Sequence, residues 1–232
     1  MSIDLGELYA ASRYRITDLI MSSPEDVGDW PCPATPAWSV HDVVAHLRGI
    51  TEDVRNGNVA AAGTDPWTAA QVARHRDRGV RELLSEWGDD APLLESVLSS
   101  PQGDAVSRAV IDVYTHEADV RGAVGRPADL PDPFGAWVML ALEGHIAEMA
   151  RASGSPPIRI ETTEGDEVGR ADAVVVLRAG RFELFRALLG RRSASQVAAM
   201  DWGGADATPY LDHFFVFGPR PTDLIEDHAA HG

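Results

Sequence analysis

Apolar residues recur at helical spacing through the first two thirds of the chain. Leu5, Leu8, Ser12, Ile16, Leu19 and Ile20 fall on one face, and Asp4 followed by Glu7 reads as a capping box. The run Pro31-Cys32-Pro33-Ala34-Thr35-Pro36 cannot continue a helix, because proline lacks the donor and clashes with the preceding turn. A second helix starts at Ser39, with Asp42 three residues on and Val40, Val43, Val44, Leu47 and Ile50 as its stripe. Residues 57–66 read as a loop. The pattern then predicts a third helix over about 66–87, with Val72, Val80, Leu83 and Leu84 inward and Pro66 placed as a first-turn proline. A fourth runs from about Gly103 or Asp104 to Val124, with Val106, Val110, Val113, Val120 and Val124 buried. A fifth follows Pro131 and Pro133 and ends near Ala152.

The period changes after Gly154-Ser155-Pro156-Pro157. Ile158–Thr163 and Ala173–Arg178 read as strands, with a turn at Glu164-Gly165-Asp166 after the first. Arg181–Leu189 reads as a helix stopped by Gly190, and Ser193–Met200 as another. Leu211–Phe217 fits a strand or a buried helical turn equally. The expected class is α+β: a helical bundle of four-helix type over residues 1–154, then a small α/β domain over 155–232.

Composition narrows the chemistry. The chain has 232 residues, 20 basic and 36 acidic, with a net charge of −16 and one cysteine, Cys32. Every basic residue is arginine. This excludes a Schiff-base lysine, a lysine phosphate loop, an intrachain disulfide and a multi-cysteine zinc site. The charge argues against nucleic acid as a partner. No apolar run approaches about 18 residues and the N-terminus lacks a signal-like pattern, so a cytoplasmic chain with no membrane partner is expected.

Polar residues beside the stripes are the candidate chemistry. His46 lies between Val43 and Ile50, and His116 between Val113 and Val120. Asp112 and His116 are four apart, so they share a helical face. Two imidazoles and a carboxylate inside a bundle suit a divalent metal with a position left for water or substrate. Core histidines that are simply hydrogen-bonded look the same in sequence. His75 and His145 lie near core faces and are rivals, His41 reads as a solvated first-turn residue, and His228 and His231 read as tail. Glu117 and Asp119 extend the acidic cluster around His116. Asp119 could orient its imidazole or pair with Arg121. Cys32 reads as structural.

Three segments carry a family resemblance. Residues 35–47, Thr-Pro-Ala-Trp-Ser-Val-His-Asp-Val-Val-Ala-His-Leu, resemble the first signature of the mycothiol-dependent maleylpyruvate isomerase family, within the DinB/YfiT-like metalloprotein superfamily. Residues 112–127, from Asp112 through His116 to Pro127, resemble the second. Residues 182–193, ending Gly-Arg-Arg-Ser, resemble the family's C-terminal domain. The resemblance implies a DinB-like bundle followed by a small α/β domain. It also implies a divalent metal, zinc first and nickel second, on His46, Asp112 and His116, although the isomerase has glutamate where Asp112 stands. Mycothiol is the implied thiol cosubstrate, and Arg191 or Arg192, with Arg186 behind, the implied clamp for substrate carboxylates. Helix-terminal arginines also stabilise helix C-termini without any substrate. The expected activity is thiol addition or transfer on a small electrophilic molecule, in a monomer or homodimer. A metal-activated-water hydrolase and a non-enzymatic metal-dependent binding or stress protein use the same site.

Overall fold

The computed structural model describes residues 3–128 and 130–227; His228 and His231 lie outside them. A largely helical region is followed by a small three-stranded sheet, as the α+β expectation has it. The chain divides into two compact units, Met1–Ala128 and Asp129–Gly232. The boundary expected near residue 154 therefore falls inside the second unit, because the two helices before it group with the sheet.

In the first unit, α1 (Leu5–Met21), α2 (Val40–Asn56), α4 (Val80–Leu98) and α5 (Arg108–Ala123) form the bundle, and a short α3 (Asp65–Arg74) packs on α2. The Asp4 carboxylate caps α1 by accepting from the Gly6 and Glu7 amides. Ser39 and Asp42 close a reciprocal capping box on α2, and Gly57 ends it in the left-handed conformation at φ 71°. The predicted third helix is two helices. Residues 75–79 turn between them, and Gly79 stands at the start of α4. That helix then runs through Pro92, because Trp87, Ala91, Leu94 and Leu98 all bury on its inner face. The predicted fourth helix starts as a 3-10 turn at Gly103–Val106 before α5 begins.

The core of this unit is Tyr9, Ile16, Ile20, Val43, Leu47, Leu83, Trp87, Val113 and Val120, all essentially inaccessible. Ion pairs tie the seams. Arg13 meets Glu95 between α1 and α4, and Arg48 meets Glu86 and Asp90 between α2 and α4. Arg15 and Arg121 both bind Glu117, which also accepts from the Ser12 hydroxyl at 2.7 Å.

In the second unit, α6 (Asp132–Ala141) and α7 (Glu143–Ala152) are separate helices where one was expected. Strands β1 (Ile158–Thr162), β2 (Glu167–Gly169) and β3 (Val175–Ala179) follow. The order is β2-β1-β3, with β1 antiparallel to β2 and parallel to β3. Ile160 faces Val168 on one side and Leu177 on the other. Next come α8 (Arg181–Leu188), α9 (Ala194–Ala198) and α10 (Thr208–Phe214), so the ambiguous 211–217 segment begins helical. Gly135 is bare because Arg181 crosses it: a Cβ there would stand 2.5 Å from the Arg181 side chain, which ties Asp132 to Asp166.

Candidate metal centre

Helices α2 and α5 place His46, Asp112 and His116 together. One ligand atom from each lies within 4.8 Å of the other two. Both imidazoles are buried, while the Asp112 side chain is 30 % exposed and forms the solvent side of the group. His46 Nε2 is 3.2 Å from Asp112 Oδ2, and His116 Nε2 is 3.6 Å from Asp112 Oδ1. The indole of Trp38, in the loop before α2, stacks on His116 at 5.5 Å and leans on His46 at 5.3 Å.

The far nitrogens decide what the near ones can do. His116 Nδ1 is 2.9 Å from the fully buried carboxylate of Asp119, which can only accept, so Nδ1 carries the proton. His46 Nδ1 is 2.8 Å from Gln71 Oε1, an acceptor that pairs with a protonated Nδ1. In the neutral rings the lone pair is then on Nε2, and both Nε2 atoms face Asp112. Three acceptors turned on one point repel unless a proton or a cation stands among them. A donor set of two imidazoles and a carboxylate, each imidazole held from behind, suits a zinc-like ion.

The other expectations divide. Of the two partners left open for Asp119, the structure places its carboxylate against His116, but Glu117 does not join the cluster: Ser12, Arg15 and Arg121 hold it against α1. His41 Nε2 is 2.8 Å from the Arg78 carbonyl. His75 is buried against Glu52; desolvation and then Arg48 hold its pKa below the ordinary 6.5. His145 is 2.8 Å from the Phe214 carbonyl. Cys32 is buried. In the second unit, Arg192 is buried and its guanidinium binds both Glu183 and Glu226. Arg191 donates to the Leu189 carbonyl at 2.7 Å. Arg186 grips Glu226.

Gln71 and Trp38 were not picked out from the sequence as site residues. Trp38 stands inside the first resembling motif, and a tryptophan two residues before a helix that carries a candidate ligand is a usable signal. For Gln71 the pattern misled, since Val72 beside it was read as the inward residue.

No family model matches the chain, and no curated protein matches it. Among solved structures it is similar to the crystal structure of the mycothiol-dependent maleylpyruvate isomerase, with a TM-score of 0.55 at 11% identity, over 82% of this chain and 90% of that one. A histidine-to-alanine mutant of the same enzyme gives 0.54 at 10% identity over the same shares. At that identity the likeness shows a shared fold. Among the described residues no helix is long and apolar enough to cross a membrane.

Proposed function

We propose that this chain is a metal-dependent enzyme that joins an external thiol to a small electrophilic molecule, with isomerisation or S-transfer as the outcome. The observation that carries the reading is the convergence of His46, Asp112 and His116 with both Nδ1 atoms turned away from the common point onto buried oxygen acceptors. His46 and His116 would hold the ion by Nε2 and Asp112 by a carboxylate oxygen, with zinc favoured over nickel by the donor set. When bound, a divalent ion there would supply Lewis acidity and lower the pKa of a coordinated thiol or water.

The chain's own residues supply the rest. Trp38 and the buried flanks of α2 and α5 shield one side, and the half-open Asp112 side admits a ligand. Cys32 is buried, so the reacting thiol comes from outside. The fold likeness to a mycothiol-dependent isomerase supports mycothiol as that thiol and maleylpyruvate as the first substrate to try. Of the pair Arg191 and Arg192, Arg191 is proposed as the holder of substrate carboxylates, because the buried Arg192 guanidinium is already taken up by Glu183 and Glu226.

Metal analysis of the wild type beside His46→Ala and His116→Ala tests the centre. One ion per wild-type chain and a large loss in both variants is expected, and full occupancy in both would overturn the assignment. A thiol-by-substrate screen on metal-loaded protein tests the chemistry. Turnover that requires mycothiol supports the reading. Thiol-independent turnover moves it to a hydrolase, and metal binding with no turnover to a binding protein.

A further inference from the structure

Helix α3 buries one side chain, and that side chain is polar. Gln71 has no accessible surface, while the rest of α3 is exposed or half-exposed. Its Oε1 is 2.8 Å from His46 Nδ1, and its Nε2 donates to Asp53 Oδ2 at 2.8 Å. Asp53 is itself buried and accepts from Asn58 Nδ2 and from an Arg74 terminal nitrogen, each at 3.0 Å.

We propose, building on the metal-site reading above, that Gln71 is a positioning residue: anchored by Asp53, it fixes His46 with its proton on Nδ1 and so turns Nε2 toward Asp112 and His116. The chemistry of the chain of contacts enforces this direction. A carboxylate only accepts, so Asp53 takes the amide NH2 of Gln71. The amide oxygen is thereby set against His46, and an oxygen there requires a donor from the ring. Turning the amide over would place its oxygen against the Asp53 carboxylate in a buried site, where an unmade hydrogen bond is costly.

Close approach of α3 to α2 is what makes the contact possible. Gly49, one turn beyond His46, lies under Gln71: a Cβ there would be 2.6 Å from Gln71 Cβ. The two ligand histidines are thus backed differently. His116 has the charged Asp119, whereas His46 has a neutral amide whose orientation is borrowed from a charge one residue further out. Partners of this kind set ring orientation and ligand strength, and their loss typically costs about 10–100-fold in metal affinity.

The test uses the full chain and zinc. Gln71→Leu removes the acceptor at similar volume. Asp53→Asn keeps the size but releases the amide to turn over. The double variant Q71E/D53N reverses the polarity of the inner contact and restores an acceptor to His46. Long-range proton–nitrogen NMR of the metal-free chain reads the His46 tautomer, with the His116 signals and circular dichroism as checks on folding. The expected result is Nδ1–H at His46 in the wild type, mixed tautomers in Asp53→Asn and Gln71→Leu, zinc affinity down about 10–100-fold in both, and recovery in the double variant. An unchanged His46 tautomer in folded single variants, or zinc affinity within about twofold of wild type, overturns it. Should the wild type take up no zinc, the metal reading fails, and the tautomer comparison still decides the role of Gln71.

Discussion

A histidine coordinates a metal through a nitrogen that carries no proton, so the partner of its other nitrogen matters as much as its place in the fold. Only part of the grouping of His46, Asp112 and His116 was legible in the sequence: i,i+4 spacing puts Asp112 and His116 on one face, but a place beside an apolar stripe left His75 and His145 as rivals, and the family resemblance singled out the three. Gln71 was not legible, since a glutamine on a short polar helix reads as surface until α3 is folded onto α2, and its contact with His46 spans 25 residues. The arginines show the same limit. Arg191 and Arg192 are adjacent and chemically identical in sequence, yet Arg192 holds two carboxylates while Arg191 reaches a backbone carbonyl. Lysine cannot reproduce a bidentate grip. Arg192→Lys is therefore expected to lose about 2 kcal/mol of stability in urea titration, from weakened charged hydrogen bonds. Arg191→Lys is expected to raise KM for a carboxylate-bearing substrate about tenfold at constant kcat, as removal of uniform binding does.

Elements with clear start signals were legible, and their breaks were less so. Ser39 and Asp42 announced α2, and the structure closes both bonds of the box, at 3.3 Å and 2.9 Å. Ser39→Ala is expected to cost about 1 kcal/mol by thermal or urea unfolding. The split between α3 and α4 was missed because Val72 and Val80 keep a helical phase across residues 75–79, although Gly79 marks the restart. The expected end near Trp87 fell short, because α4 continues through Pro92 to Leu98. A proline inside a helix costs about 3 kcal/mol, and four large or small apolar residues buried on the same face outweigh it. Gly49 yields a prediction at this scale. Glycine to alanine in an exposed helix stabilises by about 1 kcal/mol. Here the added methyl would meet Gln71 Cβ, the root of a side chain that cannot swing away. Gly49→Ala is expected to destabilise the chain and weaken zinc binding together, read by unfolding and by metal titration.

Over the whole chain, a net charge of −16 coexists with arginines spent as internal ties. Arg13, Arg48, Arg181, Arg186 and Arg192 are all buried, and each meets at least one carboxylate. The all-arginine composition supplies planar forks that hold carboxylates inside the fold. Stability should follow those carboxylates into acid. Burial alone would raise the Glu226 carboxyl, but Arg186 and Arg192 outweigh it and hold its pKa below the ordinary 4.5. Asp166 behaves likewise: burial raises it, and Arg181 and Thr162 bring it below 3.8. A folded pKa below the unfolded one means that the unfolded chain binds more protons. The contribution is complete above the unfolded value and is lost as pH falls through the folded one. Urea midpoints are therefore expected to hold level down to about pH 5 and to drop below pH 4. Glu226→Gln at pH 7 leaves two buried guanidiniums short of their charge and is expected to cost about 3 kcal/mol. The same variant should flatten the acid limb, because the proton it would have taken up is no longer there to bind. An acid limb as steep in Glu226→Gln as in the wild type would mean that other carboxylates, Asp166 first among them, carry the transition.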